Sequence, residues 1–285
     1  MDNTSFDYQR PATLEEAFGL LSVEGARPLA GGHSLLPAMK LRVSNPTALV
    51  DISRIPGMEA IEQSGGGLTI GALTTHEAVA ASSVVTADCP LLAETAGHIG
   101  DAQVRARGTI GGSIAHADPS ADYPTALLAL GATVNTASAG GTRQIAAGDF
   151  FVDIFTTALR PGELVTSVTV PSMPPGTGSA YLKHRHPASS YAVVGVAALV
   201  MMDGASITSA RLVVGGVVGK PVTVDVSGLV GQAPSVEAFA TAAAAVEGAL
   251  ENPIGDLYAS GEFRVHLAGV LAKRALAAAA ERAAG

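Results

Sequence analysis

Two short glycine pairs carry the strongest chemical hint in the sequence, Ala30-Gly31-Gly32-His33-Ser34 and Thr109-Ile110-Gly111-Gly112-Ser113. Glycine reaches positive φ without penalty and lets backbone approach a ligand closely. Successive N–H groups in such a turn converge on an anion, and the hydroxyls of Ser34, Thr109 and Ser113 add donors. Taken alone, each loop reads more readily as a tight turn between strand and helix. Two of them, about 80 residues apart in a chain of 285, suit a ligand with two phosphates and need no Lys or Arg.

Two further clusters bear on chemistry. The segment His116-Ala117-Asp118-Pro119-Ser120-Ala121-Asp122-Tyr123 is either a polar turn or a place where a carboxylate meets ligand hydroxyls. In Lys183-His184-Arg185-His186, strand geometry puts Lys183 and Arg185 on one face and both histidines on the other. Such a cluster is usually a solvated edge. Its sharper reading is a fixed charge near a cofactor that becomes anionic on reduction.

Other chemistries are excluded. No G-x-G-x-x-G stretch exists, and at Gly219-Lys220 the Walker pattern fails because Pro221 follows. No H-x-x-x-H or H-E-x-x-H spacing and no G-x-S-x-G elbow occur. With Cys89 alone, neither a disulfide nor a four-cysteine cluster can be built within the chain. A net charge of −8 argues against nucleic acid. Mean hydropathy is +0.35, yet the longest apolar run covers residues 191–202, short of the roughly 20 residues a membrane span needs. No signal peptide is evident in residues 1–10. The expected location is cytoplasmic, or at a membrane only through a partner.

The elements that must position these loops follow from pattern. Thr13 and Glu16 form a capping box before a helical apolar face of Leu14, Ala17, Phe18 and Leu21. Thr74 and Glu77 form a second box, and residues 90–98 read as another helix. Residues 59–63 and 68–72 flank Ser64-Gly65-Gly66-Gly67 as a hairpin. Strands are expected at 48–52, 133–137, 143–145 and 164–170, and, after a Pro- and Gly-rich linker at 171–179, at 180–185, 192–202 and 206–214. Two helices close the chain. One is capped by Ser235 with Phe239, Ala243, Val246 and Leu250 on one face. The other spans residues 261–284 with Phe263, Leu267, Val270 and Leu271 inward.

Residues 30–42 (AGGHSLLPAMKLR) and 109–124 (TIGGSIAHADPSADYP), with 149–171, 183–196 and 263–276, resemble the FAD-binding medium subunit of molybdenum hydroxylases, the xanthine dehydrogenase family, most nearly the carbon monoxide dehydrogenase type. The resemblance covers nearly the whole chain. It implies an α+β fold: an FAD-binding domain of the PCMH/VAO type in two subdomains, residues 1–56 and 57–175, then a smaller sheet-and-helix domain at 179–285. It places FAD on Leu29, Ala30, Gly31, Gly32, His33, Ser34, Leu35 and Leu36 and on Thr109, Ile110, Gly111, Gly112 and Ser113. It adds Asp122, Val165 and Lys183, with Tyr191 near the isoalloxazine ring. Ser113 stands where many relatives have Asn.

The resemblance further implies that this chain passes electrons from [2Fe–2S] clusters of a small subunit, through FAD, to an external acceptor such as quinone, NAD or O2. A large subunit would carry the molybdenum cofactor, in a dimer of heterotrimers. One rival reading is a self-contained oxidase with flavin linked to a histidine, for which His33 is the candidate. The other is a flavin-free scaffold.

Overall fold

The structure, a computed structural model, describes residues 5–64 and 66–285. The expected turn around Gly65 therefore lies partly outside the described residues. Its flanking strands, Ile61–Ser64 and Gly67–Gly71, pair antiparallel as expected.

The N-terminal part is built on two sheets. A small parallel sheet runs Asp7–Gln9, Ala48–Asp51, Ala26–Leu29, with Ala48–Asp51 in the middle. An antiparallel sheet has the order Ile61–Ser64, Gly67–Gly71, Leu164–Pro171, Thr133–Ser138, Gly141–Ala146. Thr13 caps the helix Leu14–Leu21 by accepting from Glu16 N at 3.2 Å, and the Glu16 carboxylate accepts in return from Ala12 N at 2.8 Å. The second box is displaced by one residue. Thr75, not Thr74, caps the helix His76–Ala81, because the Thr74 hydroxyl donates to the Glu59 carbonyl and Glu77 pairs with Arg105. One apolar cluster, with Tyr123, Leu127, Ile110, Ile114 and Phe150 at its centre, joins the helices to both sheets.

The C-terminal part is an antiparallel sheet, Thr177–Arg185, Ala192–Asp203, Ser206–Gly215, Val222–Val224. Its strands are buried on both faces, so they read as continuous apolar runs rather than alternating ones. Tyr181, Ala197 and Val213 point into the first cluster. Their neighbours Ala180, Val196, Ala198, Leu212 and Val214 join a second cluster under the helix Gly261–Ala284. That helix turns Arg264, Ala268, Leu271, Ala272, Ala275 and Leu276 inward. Phe263, expected inside, is 47% exposed. The inward position beside it belongs to Arg264, whose guanidinium donates to the carbonyls of Val193 and Gly216 and to Asp256. Ser235 caps the helix Val236–Ala243, and Phe239, Ala243, Val246 and Leu250 are buried as expected.

Candidate functional site

The second glycine loop is stitched into the fold. His76 N donates to Gly108 O, Ile110 N to Thr74 O and Gly111 N to Ala72 O, so residues 72–76 and 108–111 run as a short antiparallel ladder. Thr109 then caps the helix Ile110–His116, its hydroxyl accepting from Gly112 N at 3.1 Å, while Ser113 N donates to Thr109 O. Every amide from Ile110 to Ser113 thus has a partner within the chain. The expectation of a converging set of free N–H groups fails here, because the loop is the start of a helix. Gly111 is glycine for packing: a Cβ there would lie 2.4 Å from Ala72 Cβ and 2.7 Å from Ala72 O.

The first loop is different. It follows the strand Ala26–Leu29 and leads into the helix Leu35–Lys40, and Ser34 makes no side-chain cap. The amides of Gly31, Gly32, His33 and Ser34 have no acceptor among the described residues. Gly32 sits at φ +75°, and His33 folds its Nδ1 back to within 3.0 Å of the Gly31 carbonyl. The two loops cross in contact. A Cβ on Gly31 would fall 2.1 Å from Arg107 O and 2.9 Å from Gly108 Cα.

Between the loops lies a cavity of about 450 Å³, within the range of small-molecule and cofactor sites. From the first loop it is lined by Leu29, Ala30, Gly31, Gly32, His33, Ser34 and Leu35. From the second come Thr109, Gly111, Gly112 and Ser113, and from elsewhere Asp122, Val165 and Tyr191. Fourteen of the seventeen residues singled out from sequence are thereby brought to one wall system. Leu36, Ile110 and Lys183 are not on it. Leu36 packs beside Gly32, and Ile110 is fully buried in the apolar core. Leu164 and Val165 reach the cavity at a break in strand register between Val165 and Ser167.

Lys183 stands behind this wall. Its side chain is 1% exposed, and Nζ donates to Asp122 Oδ2 at 2.9 Å and to the His98 carbonyl at 3.0 Å. The Tyr181 hydroxyl donates to the other Asp122 oxygen at 2.7 Å. Burial raises the Asp122 pKa, opposed by the charge and hydrogen bond of Lys183 and by the Tyr181 hydroxyl. The fixed charge of Lys183 is therefore ion-paired, and the pair joins the C-terminal sheet to the helix Asp122–Leu130. Although the register shifts between His184 and Arg185, His184 and His186 both neighbour Tyr258, their rings 6.4 and 4.7 Å from its ring. Asp118 accepts from Ser120 N at 2.9 Å, which is the turn geometry expected before a proline-containing loop.

Among the wall residues not picked out from sequence, Arg27, Gly108 and His76 stand out. Arg27, on the strand Ala26–Leu29, lines the cavity away from Tyr191 in sequence and carries charge. Gly108 sits at the loop crossing. His76 is 5% exposed, and burial, with the charges of His33 and Arg105, lowers its pKa to about 4. The sequence signal for His76 was a histidine at the first turn of a helix directly after an apolar strand. Tyr191, 40% exposed, lines the same cavity with its hydroxyl close to Ser34, and its pKa is raised by partial burial.

An α+β protein with a cavity between two glycine loops, one of them with uncommitted backbone amides, is of a class suited to hold a phosphate-bearing cofactor. Comparison with known proteins narrows the class. Residues 4–173 match the family described as "FAD binding domain in molybdopterin dehydrogenase", and residues 179–279 match "CO dehydrogenase flavoprotein C-terminal domain". The chain belongs to this FAD-binding, medium-chain family of molybdopterin dehydrogenases.

It is 38% identical over 283 residues to the carbon monoxide dehydrogenase medium chain of Afipia carboxidovorans, covering 98% of both. It is also 38% identical over 289 residues to the 6-hydroxypseudooxynicotine dehydrogenase complex subunit alpha of Paenarthrobacter nicotinovorans, covering 99% of this chain and 97% of that one. A solved carbon monoxide dehydrogenase from Hydrogenophaga pseudoflava superposes with a TM-score of 0.95 at 37% identity over 99% of both chains. Quinoline 2-oxidoreductase from Pseudomonas putida 86 does so with a TM-score of 0.95 at 34% identity over the whole of both chains. These relatives favour the multi-subunit reading over a histidyl-flavin oxidase. No helix among the described residues is long and apolar enough to cross a membrane.

Proposed function

We propose that this chain is the FAD-carrying medium subunit of a molybdenum hydroxylase of the carbon monoxide dehydrogenase type. The observation that carries the reading is the cavity between the loops: one loop offers four uncommitted amides to a diphosphate, and the other offers a rigid wall with the Thr109 and Ser113 side chains beside it. The residues present fit the cofactor. Gly31 to Ser34 would hold its diphosphate, Asp122 and Val165 would line the site beside it, and Tyr191 would cover its ring system. FAD, when bound, supplies the ability to accept electrons singly or in pairs and release them to another acceptor. The protein's part is to bind, orient and shield it.

With one cysteine, the chain supplies no iron–sulfur ligand set. Iron–sulfur clusters would therefore lie on another chain, and the family resemblance supports a small subunit carrying them and a large subunit carrying the molybdenum cofactor, in a doubled heterotrimer with an external electron acceptor. Carbon monoxide is the proposed substrate of the large subunit, supported by the medium chains of two carbon monoxide dehydrogenases at 38% identity. The test is purification of the native complex through a tag on this chain, assay of flavin, iron and molybdenum, and anaerobic addition of carbon monoxide, an aldehyde or an N-heterocycle. Flavin bleaching by carbon monoxide alone is the expected result. Bleaching only by another substrate transfers the assignment to that class, and a complex without flavin overturns it.

A further inference from the structure

We infer that His76 is a further ligand of the flavin nucleotide, a neutral imidazole donating from Nε2 to the portion that lies over the crossing of the two glycine loops. The inference rests on the cavity holding FAD.

Position comes first. His76 opens the helix His76–Ala81 immediately after residues 72–75, the strand of the ladder that holds the second loop. His76 is among the residues that line the cavity. Its Nε2–Cδ2 edge lies on Gly108, where a methyl group would come within 2.5 Å of Nε2, and Gly108 in turn touches Gly31 of the first loop. The imidazole edge therefore sits where both loops meet.

The tautomer follows from the other nitrogen. Nδ1 is buried and has no hydrogen-bond partner among the described residues. A buried N–H without an acceptor is rarer and costlier than an under-used acceptor, so the proton belongs on Nε2 and Nδ1 stays bare. The neighbouring ring is Tyr123, 5.3 Å away, whose hydroxyl is also buried without a partner. The ring is held neutral by burial, so at ordinary pH it presents one donor and no charge. It thus supplements the amides of the first loop without adding a cation.

The experiment uses the assembled complex with His76→Gln and His76→Leu. Glutamine places an N–H donor near the Nε2 position and removes the ring; leucine fills space and removes the donor. The expected result is an FAD dissociation constant raised about tenfold in His76→Leu and less than threefold in His76→Gln, at unchanged assembly and thermal midpoint. Wild-type affinity in the leucine variant, or equal loss in both, overturns the inference. Should the leucine variant not assemble, the wild-type complex with 15N-histidine in this chain decides. An Nε2–H tautomer whose Nε2 resonance moves on FAD loading is expected, and an Nδ1–H tautomer or an unmoved resonance overturns it. A wild-type complex that takes up no FAD overturns the flavin reading itself, whereas normal uptake with the wrong variant pattern overturns only the role of His76.

Discussion

In the first glycine loop the amides of Gly31 to Ser34 have no acceptor among the described residues, while in the second those of Ile110 to Ser113 are all committed to Thr74, Ala72 and Thr109. The sequences, AGGHS and TIGGS, suggest equal partners. The structure divides the labour. Backbone donors must pair with something, so the first loop is completed by solvent or by a ligand. The second is complete on its own and acts as the anvil against which the first loop and the ligand are set. A glycine pair is thus ambiguous in sequence: at Gly32 it serves a positive φ, and at Gly111 it serves contact with Ala72.

Damage behind the second loop should therefore register as lost stability first and lost flavin second. The largest effect is expected for Lys183→Met, which leaves the Asp122 carboxyl buried without its cation; breaking such a pair costs about 3–5 kcal/mol. Denaturant unfolding of the chain should show it as a lowered midpoint at unchanged slope. Gly111→Ala forces a methyl into Ala72 and should cost about 3 kcal/mol, read by the same measurement.

Acid provides a third test. His76 has a folded pKa near 4 and an ordinary one of 6.5, so the unfolded chain takes up a proton first as pH falls. Stability from this residue is full above pH 6.5 and is lost progressively down to about pH 4, amounting to about 3 kcal/mol at 1.36 kcal/mol per unit. His76→Gln should flatten that part of the stability–pH curve, and an unchanged curve would refute a buried neutral ring.

The smaller effects separate the loops most cleanly. Gly32→Ala strains a left-handed residue by roughly 1–2 kcal/mol, and should weaken FAD binding by more than its stability cost alone explains. Thr109→Ala removes a helix cap and should cost about 1 kcal/mol without ligand. Ser34→Ala, at a helix start with no side-chain cap, should leave ligand-free stability within about 0.5 kcal/mol and lower FAD affinity instead. Paired unfolding and FAD titrations check all three. Equal stability losses in Thr109→Ala and Ser34→Ala would dissolve the distinction between the loops.

Local grammar made much of this legible. Thr13 and Ser235 are caps because hydroxyls before apolar periodicity have only local work to do. The strand Leu164–Pro171 was visible by its alternation and Ala192–Asp203 as an apolar run of the right length. What escaped was long-range. Residues 110–116 did not read as a helix because Gly111 and Gly112 are poor helix formers, and pairing with residues 72–76 outweighs that deficit. The alternation of residues 183–186 gave the face of Lys183, but not the Asp122 carboxylate waiting 61 positions earlier in sequence. Arg264 escaped for the same reason, since a core arginine makes sense only once Val193, Gly216 and Asp256 surround it. Pattern and resemblance named residues that the fold brings to one cavity, and the division of roles among them was not legible.

The ladder between residues 72–76 and 108–111 also sets a clock. Amide hydrogens held in such pairing exchange with solvent deuterium only when the segment opens, whereas unpaired ones exchange at nearly the rate of a free peptide. Without ligand, the amides of Ile110 and Gly111 should stay labelled for as long as the surrounding core, and those of Gly31 to Ser34 should be lost almost at once. Adding FAD should slow the second group while leaving the first as it was. Isotope retention, peptide by peptide, would thus register cofactor arrival on one side of the cavity only.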